Sequence, residues 1–319
     1  MHIRLLFCTF IFQYELDGLI AQTLTFLTIV TYGAPQTHQF SKPVAIFWLL
    51  RLNRTAMVAM IAGTAAFISG GSVADSLLMA LSGWCLAVGG FSLDFFADRD
   101  LDMKGPKARM RHNPIADGSL APSAGLAFSI TFIIASFVLT LLIAPRALIP
   151  WGIILSIIIC LALHLLEHPL ARAISLGLLQ ALYMLMGGTV GTLSPGIVII
   201  AVMFFFAMFG GRGMTDIRDF PQDEETRVMT LPRRYGIKRT AYFTGTCLFI
   251  SYALSLAAYF TGEFTSIYLY LDIVFIVVGI ICACLFMRRP SPELAYKLTL
   301  VSMMGMGTII CLAMILGSI

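Results

Sequence analysis

Apolar segments of about twenty residues recur along the chain from Val44 onward, separated by glycine, proline and clusters of charge. An α-helix needs a segment of that length to cross the hydrocarbon core of a bilayer. The first segment is the weakest, because Arg51, Asn53 and Arg54 interrupt it, so its hydrocarbon-facing part is expected to begin near Thr55. The pattern predicts nine crossings, near residues 45–69, 75–97, 121–143, 147–166, 173–192, 196–214, 240–261, 265–287 and 295–317.

The composition agrees with this pattern. Hydrophobic residues make up 59% of the 319 residues and charged residues 12%, and the mean hydropathy is +0.90. Because a soluble domain carries roughly 25% charged residues, we interpret the chain as an all-α, polytopic membrane protein. Seven cysteines lie mostly inside apolar segments, and the chain has no Cys-x-x-Cys pair. They are therefore interpreted as small buried side chains, not as disulfides or a zinc site.

The chain is predicted to consist of an N-terminal extension, residues 1–42, and a nine-helix membrane domain, residues 43–319. Within the extension, Glu15 and Asp17 interrupt the apolar character, and the segment 19–32 is short for a full crossing. We expect the extension to lie at the membrane interface. A signal peptide is the less favoured alternative, because no small-residue cleavage site is clear.

The basic residues are distributed unevenly between the two sides of the predicted helices. With nine crossings and the amino terminus inside, 20 of the 21 Lys and Arg residues fall on the inner side, and only Arg146 falls on the other. The positive-inside rule then makes the inner side cytoplasmic. If the protein is prokaryotic, the membrane is the plasma membrane. The net charge of +4 reflects this bias, and no nucleic-acid partner is expected.

Closely spaced carboxylates follow two of the crossings. Asp94, Asp98 and Asp102 recur at every fourth residue after the second crossing, and a four-residue step keeps side chains on one face of an α-helix. Four crossings separate this cluster from a second one, so both clusters are expected to open on the cytoplasmic side. The second cluster follows the sixth crossing and contains Asp216, Asp219 and Asp223.

Six carboxylates at two helix ends indicate a metal site. A single aspartate there would usually be a solvated helix end, but crowded like charges repel each other unless a cation neutralises them. Hard oxygen ligands suit Mg²⁺, which substrate phosphates commonly complete, so a phosphate ester is the expected substrate. Basic side chains on the same side are candidate diphosphate ligands, although each is alternatively a topology signal near anionic lipid. They are Arg109, Arg111, Arg172, Arg227, Arg233 and Lys238.

The two acidic clusters resemble the motifs of the UbiA superfamily of intramembrane prenyltransferases. That family carries Asn-x-x-x-Asp-x-x-x-Asp after its second helix and Asp-x-x-x-Asp after its sixth. Here the first motif begins with Asp94 in place of the usual asparagine, and the second runs from Asp219 to Asp223. Two motifs at the expected helices make the resemblance specific.

The chain after each motif extends the resemblance to residues 48–317. The family's threonine-leucine-proline followed by glycine matches residues 230–232 and Gly236, and its proline-containing loop after the first motif is similar to residues 114–118. One departure lies in that loop. The family often has Arg-Pro where this chain has Asn113 before the proline, which leaves open which arginine meets the diphosphate.

The resemblance implies nine transmembrane helices around a central cavity and transfer of a prenyl group from an allylic isoprenyl diphosphate to a hydrophobic acceptor. The acceptor would be an aromatic or quinone precursor or a membrane lipid. Two Mg²⁺ ions would bridge the diphosphate, with Asp98 and Asp219 as the catalytic carboxylates of the set Asp94, Asp98, Asp102, Asp216, Asp219 and Asp223. Aromatic side chains would line the pocket of the allylic cation, with ordinary helix packing as the alternative for each: Phe95, Phe96, Tyr183 and Phe205.

Two other functions use the same features. A terpene cyclase of the same fold would capture the cation with the substrate's own double bonds and would release diphosphate without an acceptor. An ion or solute transporter is a weaker alternative, because its ligands are expected at broken helices near the midplane. In addition, His164 and His168 could together hold a metal ion or belong to an ordinary interfacial loop.

Overall fold

The computed structural model describes residues 41–104, 113–226, 228–300 and 307–318. The predicted N-terminal extension therefore lies outside the described residues, apart from its last two positions. Three of the candidate diphosphate ligands, Arg109, Arg111 and Arg227, also lie outside them.

The described part of the chain is helical throughout and contains no β-strand, as the all-α prediction required. Twelve α-helices and one short 3₁₀ helix, Pro145–Ala147, are present in that part. In chain order the α-helices are α1 (Lys42–Leu50), α2 (Leu52–Ile68), α3 (Val73–Lys104), α4 (Pro122–Ile143), α5 (Leu148–Ala162), α6 (Pro169–Gly188), α7 (Pro195–Thr226), α8 (Leu231–Tyr235), α9 (Ile237–Tyr259), α10 (Ser266–Arg288), α11 (Pro292–Leu300) and α12 (Gly307–Gly317).

Seven helical segments in the described part are individually long and apolar enough to cross a membrane. They contain α3, α4, α5, α6, α7, α9 and α10, which correspond to the second through eighth predicted crossings. The first predicted crossing is a pair, α1 and α2, bent by 44° and together long enough to span. The ninth falls on α11 and α12, between which residues 301–306 are not described, so the count of nine is not confirmed.

Small residues allow the central helices to approach each other closely. A Cβ atom built on Gly187 of α6 would lie 2.1 Å from the carbonyl oxygen of Ala62 in α2, so only glycine fits there. Buried hydroxyl groups make further interhelical bonds, such as that from Ser82 of α3 to the Ser136 carbonyl of α4 at 3.0 Å. Lipid is as apolar as the helix surfaces, so close backbone contact and such bonds provide the packing energy.

The two helices that carry the acidic motifs are the longest in the described part. Both α3 and α7 have 32 residues, which corresponds to about 48 Å at 1.5 Å per residue, against a hydrocarbon thickness of about 30 Å. Each motif occupies the C-terminal end of its helix. The helices therefore place both sets of carboxylates beyond or at the edge of the apolar layer.

Candidate active site

The first motif lies along the last turns of α3, with Asp94, Asp98 and Asp102 half-buried. The Nε2 atom of His164, in the loop between α5 and α6, lies 2.8 Å from Oδ1 of Asp98. Asp102 accepts a hydrogen bond of 2.9 Å from the side-chain amide of Asn113. Residues from two different loops therefore contact the first motif.

Asn113 is fully buried and uses both ends of its amide. Its Nδ2 atom donates to the Phe95 carbonyl and to Asp102, each at 2.9 Å. Its Oδ1 atom accepts from the backbone amides of Ile115 and Ala116. At the position where the resemblance led us to look for an arginine, this chain has an amide that ties the loop to the motif helix.

The second motif begins with a carboxylate that has a structural partner on each oxygen. Asp216 pairs with Arg212 at 2.7 Å, one turn earlier on α7, and accepts from the backbone amide of Leu231 at the start of α8 at 3.2 Å. Burial and these two protein partners give Asp216 a structural role, and its assignment to a metal stays a prediction. Asp216 therefore links α7 to α8 in this structure.

The next carboxylate, Asp219, is more accessible. Arg218 binds it in a bidentate manner, with Nε donating to Oδ1 at 2.7 Å and Nη2 donating to Oδ2 at 2.6 Å. Asp223 is buried one turn later. Asp219 is thus the most exposed carboxylate of the second motif, and the assignment of all three to a metal stays a prediction.

Arg172, near the start of α6, lies between the two motifs. It interacts electrostatically with Asp94 and Asp98 of the first motif and with Arg212 and Asp216 of the second. Because the guanidinium of Arg172 interacts with carboxylates of both motifs, the two motifs face a common region. The contact of Arg172 with a diphosphate stays a prediction.

Two further arginines, which the sequence pattern had marked only as interruptions of the first crossing, belong to the same region. Arg51 separates α1 from α2 in a left-handed conformation, with φ of 43°, and its guanidinium lies 4.1 Å from the centre of the Phe95 ring. It interacts electrostatically with all three aspartates of the first motif. Arg54 interacts electrostatically with both Asp94 and Asp219. Ionisable residues inside an apolar span are a sequence signal of function that could have identified both.

The other described basic candidates have local roles. Arg233 donates from Nη1 to the backbone carbonyls of Asp223 and Val228, at 3.3 and 3.2 Å, and so closes the turn between α7 and α8. Lys238 is exposed in the first turn of α9. Their contact with a diphosphate stays a prediction.

The predicted aromatic residues do not form one group. Phe95 is buried beneath Arg51, and Phe96 lies 4.7 Å from the guanidinium of Arg99, so a cationic side chain already covers a ring face of each. Tyr183 is buried in the main core. Phe205 packs with Phe206 and Phe209 on α7, and Phe209 also contacts Phe243 of α9. This aromatic cluster lies deeper along α7 than the second motif.

One cleft of about 260 Å³ lies between α6, α8 and α9. Its lining is mainly apolar, and the aspartates of the two motifs do not contribute to it. The central cavity predicted between the motifs therefore stays a prediction. The cleft is lined by Leu170, Leu231, Tyr235, Arg239, Thr240 and Phe243.

The two histidines of the loop between α5 and α6 have separate partners. His164 contacts Asp98, whereas Nδ1 of His168 accepts a hydrogen bond from the backbone amide of Leu170 at 3.2 Å and caps α6. A shared metal ion on this pair stays a prediction, which these separate contacts do not favour. His168 has a capping role instead.

The carboxylates suit Mg²⁺ that is shared with a substrate. Among the described residues, no three Asp, Glu, His or Cys side chains converge closely enough to hold a metal alone. Mg²⁺ usually needs only one or two carboxylates, because waters and substrate phosphates complete its shell. Among the described residues, Nε2 of His164 contacts the buried Oδ1 of Asp98 at 2.8 Å, and no hydrogen bond of regular geometry occupies that oxygen. A lone pair at Asp98 is thus available.

Comparison with known proteins agrees with this arrangement. The model of the UbiA prenyltransferase family matches residues 55–306. The chain is similar to the digeranylgeranylglyceryl phosphate synthase of Natronomonas pharaonis, at 25% identity over 224 residues, covering 69% of this chain and 79% of the relative. The enzyme of the same name from Methanothrix thermoacetophila is 26% identical over 215 residues, covering 65% and 78%.

Solved structures show the same fold. A digeranylgeranylglyceryl phosphate synthase structure superimposes with a TM-score of 0.69 at 23% identity, covering 87% of this chain and 98% of that one. A UbiA homologue from Archaeoglobus fulgidus, bound to GPP and Mg²⁺, gives a TM-score of 0.62 at 16% identity, covering 82% and 99%. With the family model matching most of its length, the chain belongs to the UbiA prenyltransferase family and is a prenyltransferase of the membrane.

Proposed function

We propose that the protein transfers a prenyl group from an allylic isoprenyl diphosphate to a hydrophobic acceptor within the membrane. The observation that carries this proposal is the position of Arg172, which interacts electrostatically with carboxylates of both acidic motifs. A positive group near the proposed metal ligands Asp94 and Asp98, and close to the second motif as well, suits a diphosphate that is bound by Mg²⁺ and by arginine together. The Archaeoglobus fulgidus homologue with bound GPP and Mg²⁺ supports the same substrate class here.

The residues of the proposed site form an acidic group, which would bind Mg²⁺, and a basic group, which would bind phosphate oxygens. We assign Mg²⁺, as two ions, to carboxylates of both motifs, with Asp98 and Asp219 as the principal ligands and Asp94, Asp102 and Asp223 in support. Bound Mg²⁺ would neutralise charge that develops on the leaving diphosphate. The arginines at the same site would bind the remaining phosphate oxygens, and Arg's planar group suits that contact. They are Arg51, Arg54 and Arg172.

The reaction begins with heterolytic cleavage of the carbon–oxygen bond of the prenyl diphosphate. The electron pair leaves with the diphosphate, where the arginines stabilise the added charge, and an allylic cation remains. A lone pair of the acceptor then forms the new bond to the allylic carbon, and the acceptor loses a proton. The aromatic cluster of Phe205 and Phe209 provides ring faces for the prenyl chain and its cation, and helps to exclude water.

The acceptor that we propose first is a glyceryl phosphate lipid. Both curated relatives described above are named digeranylgeranylglyceryl phosphate synthases. That product contains two geranylgeranyl groups on one glyceryl phosphate, so its synthesis can end with transfer of a geranylgeranyl group to a hydroxyl of a singly prenylated lipid. An aromatic or quinone precursor is the alternative acceptor.

The site is proposed to open on the cytoplasmic side, in the plasma membrane if the organism is prokaryotic. Under the predicted topology, 20 of the 21 Lys and Arg residues lie on the side of the motifs. Such a bias sets orientation in membranes generally. Both substrates carry phosphate and would approach from that side.

The test is product analysis with purified protein in lipid nanodiscs. Geranylgeranyl diphosphate and Mg²⁺ would be supplied with geranylgeranylglyceryl phosphate, with 4-hydroxybenzoate or with no acceptor, and products identified by mass spectrometry. We expect a doubly prenylated lipid and no product in the Asp98→Asn variant. Prenylated 4-hydroxybenzoate would identify an aromatic acceptor instead. A cyclic hydrocarbon formed without acceptor would show a terpene cyclase and refute the transferase proposal.

A further inference from the structure

The loop between α5 and α6, residues 163–168, places a histidine against the first acidic motif. His164 has a left-handed backbone conformation with φ of 53°, which is uncommon for non-glycine residues, although histidine adopts it more often than most. Its backbone amide donates to the Leu161 carbonyl at 3.1 Å, while His168 at the other end of the loop caps α6. Strained backbone persists where surrounding contacts hold it. The loop is thus fixed at both ends with His164 directed at α3.

The contact of His164 is with a proposed metal ligand. Its Nε2 atom lies 2.8 Å from Oδ1 of Asp98, and the two side chains are 41% and 29% exposed. The other charges acting on Asp98 come from Asp94, Asp102 and Arg172. Among the residues that the structure describes, His164 is the one whose ionisable side chain is seen in direct contact with this carboxylate.

A carboxylate that shares a metal with a diphosphate has to keep one orientation. It offers about four lone-pair directions on two oxygens, so a partner on one side leaves other directions for a metal. Partners that orient metal ligands typically change metal affinity 10- to 100-fold when removed. His164, in the loop between α5 and α6, can hold the carboxylate of Asp98 in one orientation.

We propose that His164 is a positioning residue that fixes the carboxylate of Asp98 for the Mg²⁺–diphosphate complex. This inference rests on the proposed function, because it assigns His164 a role in that site. His164 acts through Asp98 and does not touch the diphosphate itself. The loop between α5 and α6 thereby becomes part of the active site, although it lies outside both motifs.

Two substitutions of His164 distinguish the effect of its side-chain contact from the effect of its backbone conformation. His164→Gly removes the imidazole and suits the left-handed conformation, so the loop keeps its path. His164→Gln keeps an N–H donor at about the reach of Nε2 and serves as the matched control. If the glycine variant fails to fold, His164→Asn replaces it, because asparagine tolerates positive φ and its amide is shorter than the imidazole.

The readout is thermal stabilisation of the detergent-purified protein, followed by intrinsic tryptophan fluorescence at a single pH. One titration varies MgCl₂ at fixed inorganic diphosphate, and the other varies diphosphate at saturating MgCl₂. We expect His164→Gly to raise the Mg²⁺ midpoint about 10-fold and to leave the diphosphate midpoint within about 2-fold. His164→Gln should restore the Mg²⁺ midpoint to within about 3-fold of the parent value.

Each other outcome refutes the inference. An unchanged Mg²⁺ midpoint in His164→Gly would mean that the contact has no effect on the metal, and a lower midpoint would mean that His164 competes with Mg²⁺. A shift in the diphosphate midpoint alone would make His164 a direct ligand of the substrate. If the parent protein itself shows no Mg²⁺-dependent stabilisation with diphosphate, the proposed metal chemistry fails as well, which distinguishes that failure from the failure of His164 alone.

Discussion

Replacing Asp216 by alanine should destabilise the protein, whereas replacing Asp219 should mainly remove activity. Both residues belong to the second acidic motif, and the sequence predicts both as metal ligands, with Asp219 as a catalytic carboxylate as well. The structure separates them by their contacts. Asp216 is 4% exposed and its oxygens are bound by Arg212 and by the Leu231 amide. Asp219 is 38% exposed and pairs with its neighbour Arg218.

Because their contacts differ, the two alanine variants should lose different amounts of stability. Asp216→Ala leaves Arg212, 28% exposed, without its carboxylate and removes an acceptor at the start of α8. Loss of a hydrogen bond to a charged group costs about 1.5–3 kcal/mol, and we take about 2–3 kcal/mol because Asp216→Ala removes the partner of both Arg212 and the Leu231 amide. At about 2–4 °C per kcal/mol, the expected fall in Tm is about 4–12 °C. For the exposed Asp219 pair, at about 0–1 kcal/mol, the fall should be under about 4 °C.

The assay measures Tm and turnover on the same preparations. Asp219→Asn should lower turnover at least about 100-fold, because a group that stabilises leaving-group charge is lost. Asp216→Asn, which keeps an acceptor for Leu231, should retain turnover within about 10-fold below its Tm. An Asp216→Ala protein with the parent Tm and no turnover would refute this division and return Asp216 to the metal site.

Three further predictions concern substrate binding, packing and topology. Arg172→Gln should raise KM for the prenyl diphosphate at least about 10-fold and change the acceptor KM little, as measured by initial rates; an unchanged donor KM would remove Arg172 from the site. Gly187→Ala should destabilise by about 3 kcal/mol, because a Cβ would meet the Ala62 carbonyl at 2.1 Å. Gly152→Ala, where nothing lies within 4 Å, should leave Tm equal or higher. In a cysteine-free background, cysteines at positions 222 and 72 should label from the cytoplasmic and the opposite side respectively, and labelling from one side would contradict the topology.

Local pattern was enough to predict most of the helices. The predicted crossings 75–97 and 240–261 correspond to helices at Val73–Lys104 and Ile237–Tyr259, because hydropathy over about twenty residues reports directly on membrane insertion. The bend at Arg51 was anticipated only as a weak start to the first span. A left-handed residue between two short helices depends on contacts with Phe91 and Phe95 of another helix, which no local pattern contains.

The sequence by itself determined the membrane class, the positions of the helices and the two acidic motifs, since each depends on residues close together in the chain. Only the tertiary structure decided how the individual carboxylates differ. His164 reaches Asp98 and Asn113 reaches Asp102 from separate loops, while Leu231 binds Asp216 from the start of α8. These partners lie outside the helices that carry the motifs, and helix packing brings them against the carboxylates. Spacing along a helix shows which residues share a face, whereas the role of each carboxylate depends on what that face meets.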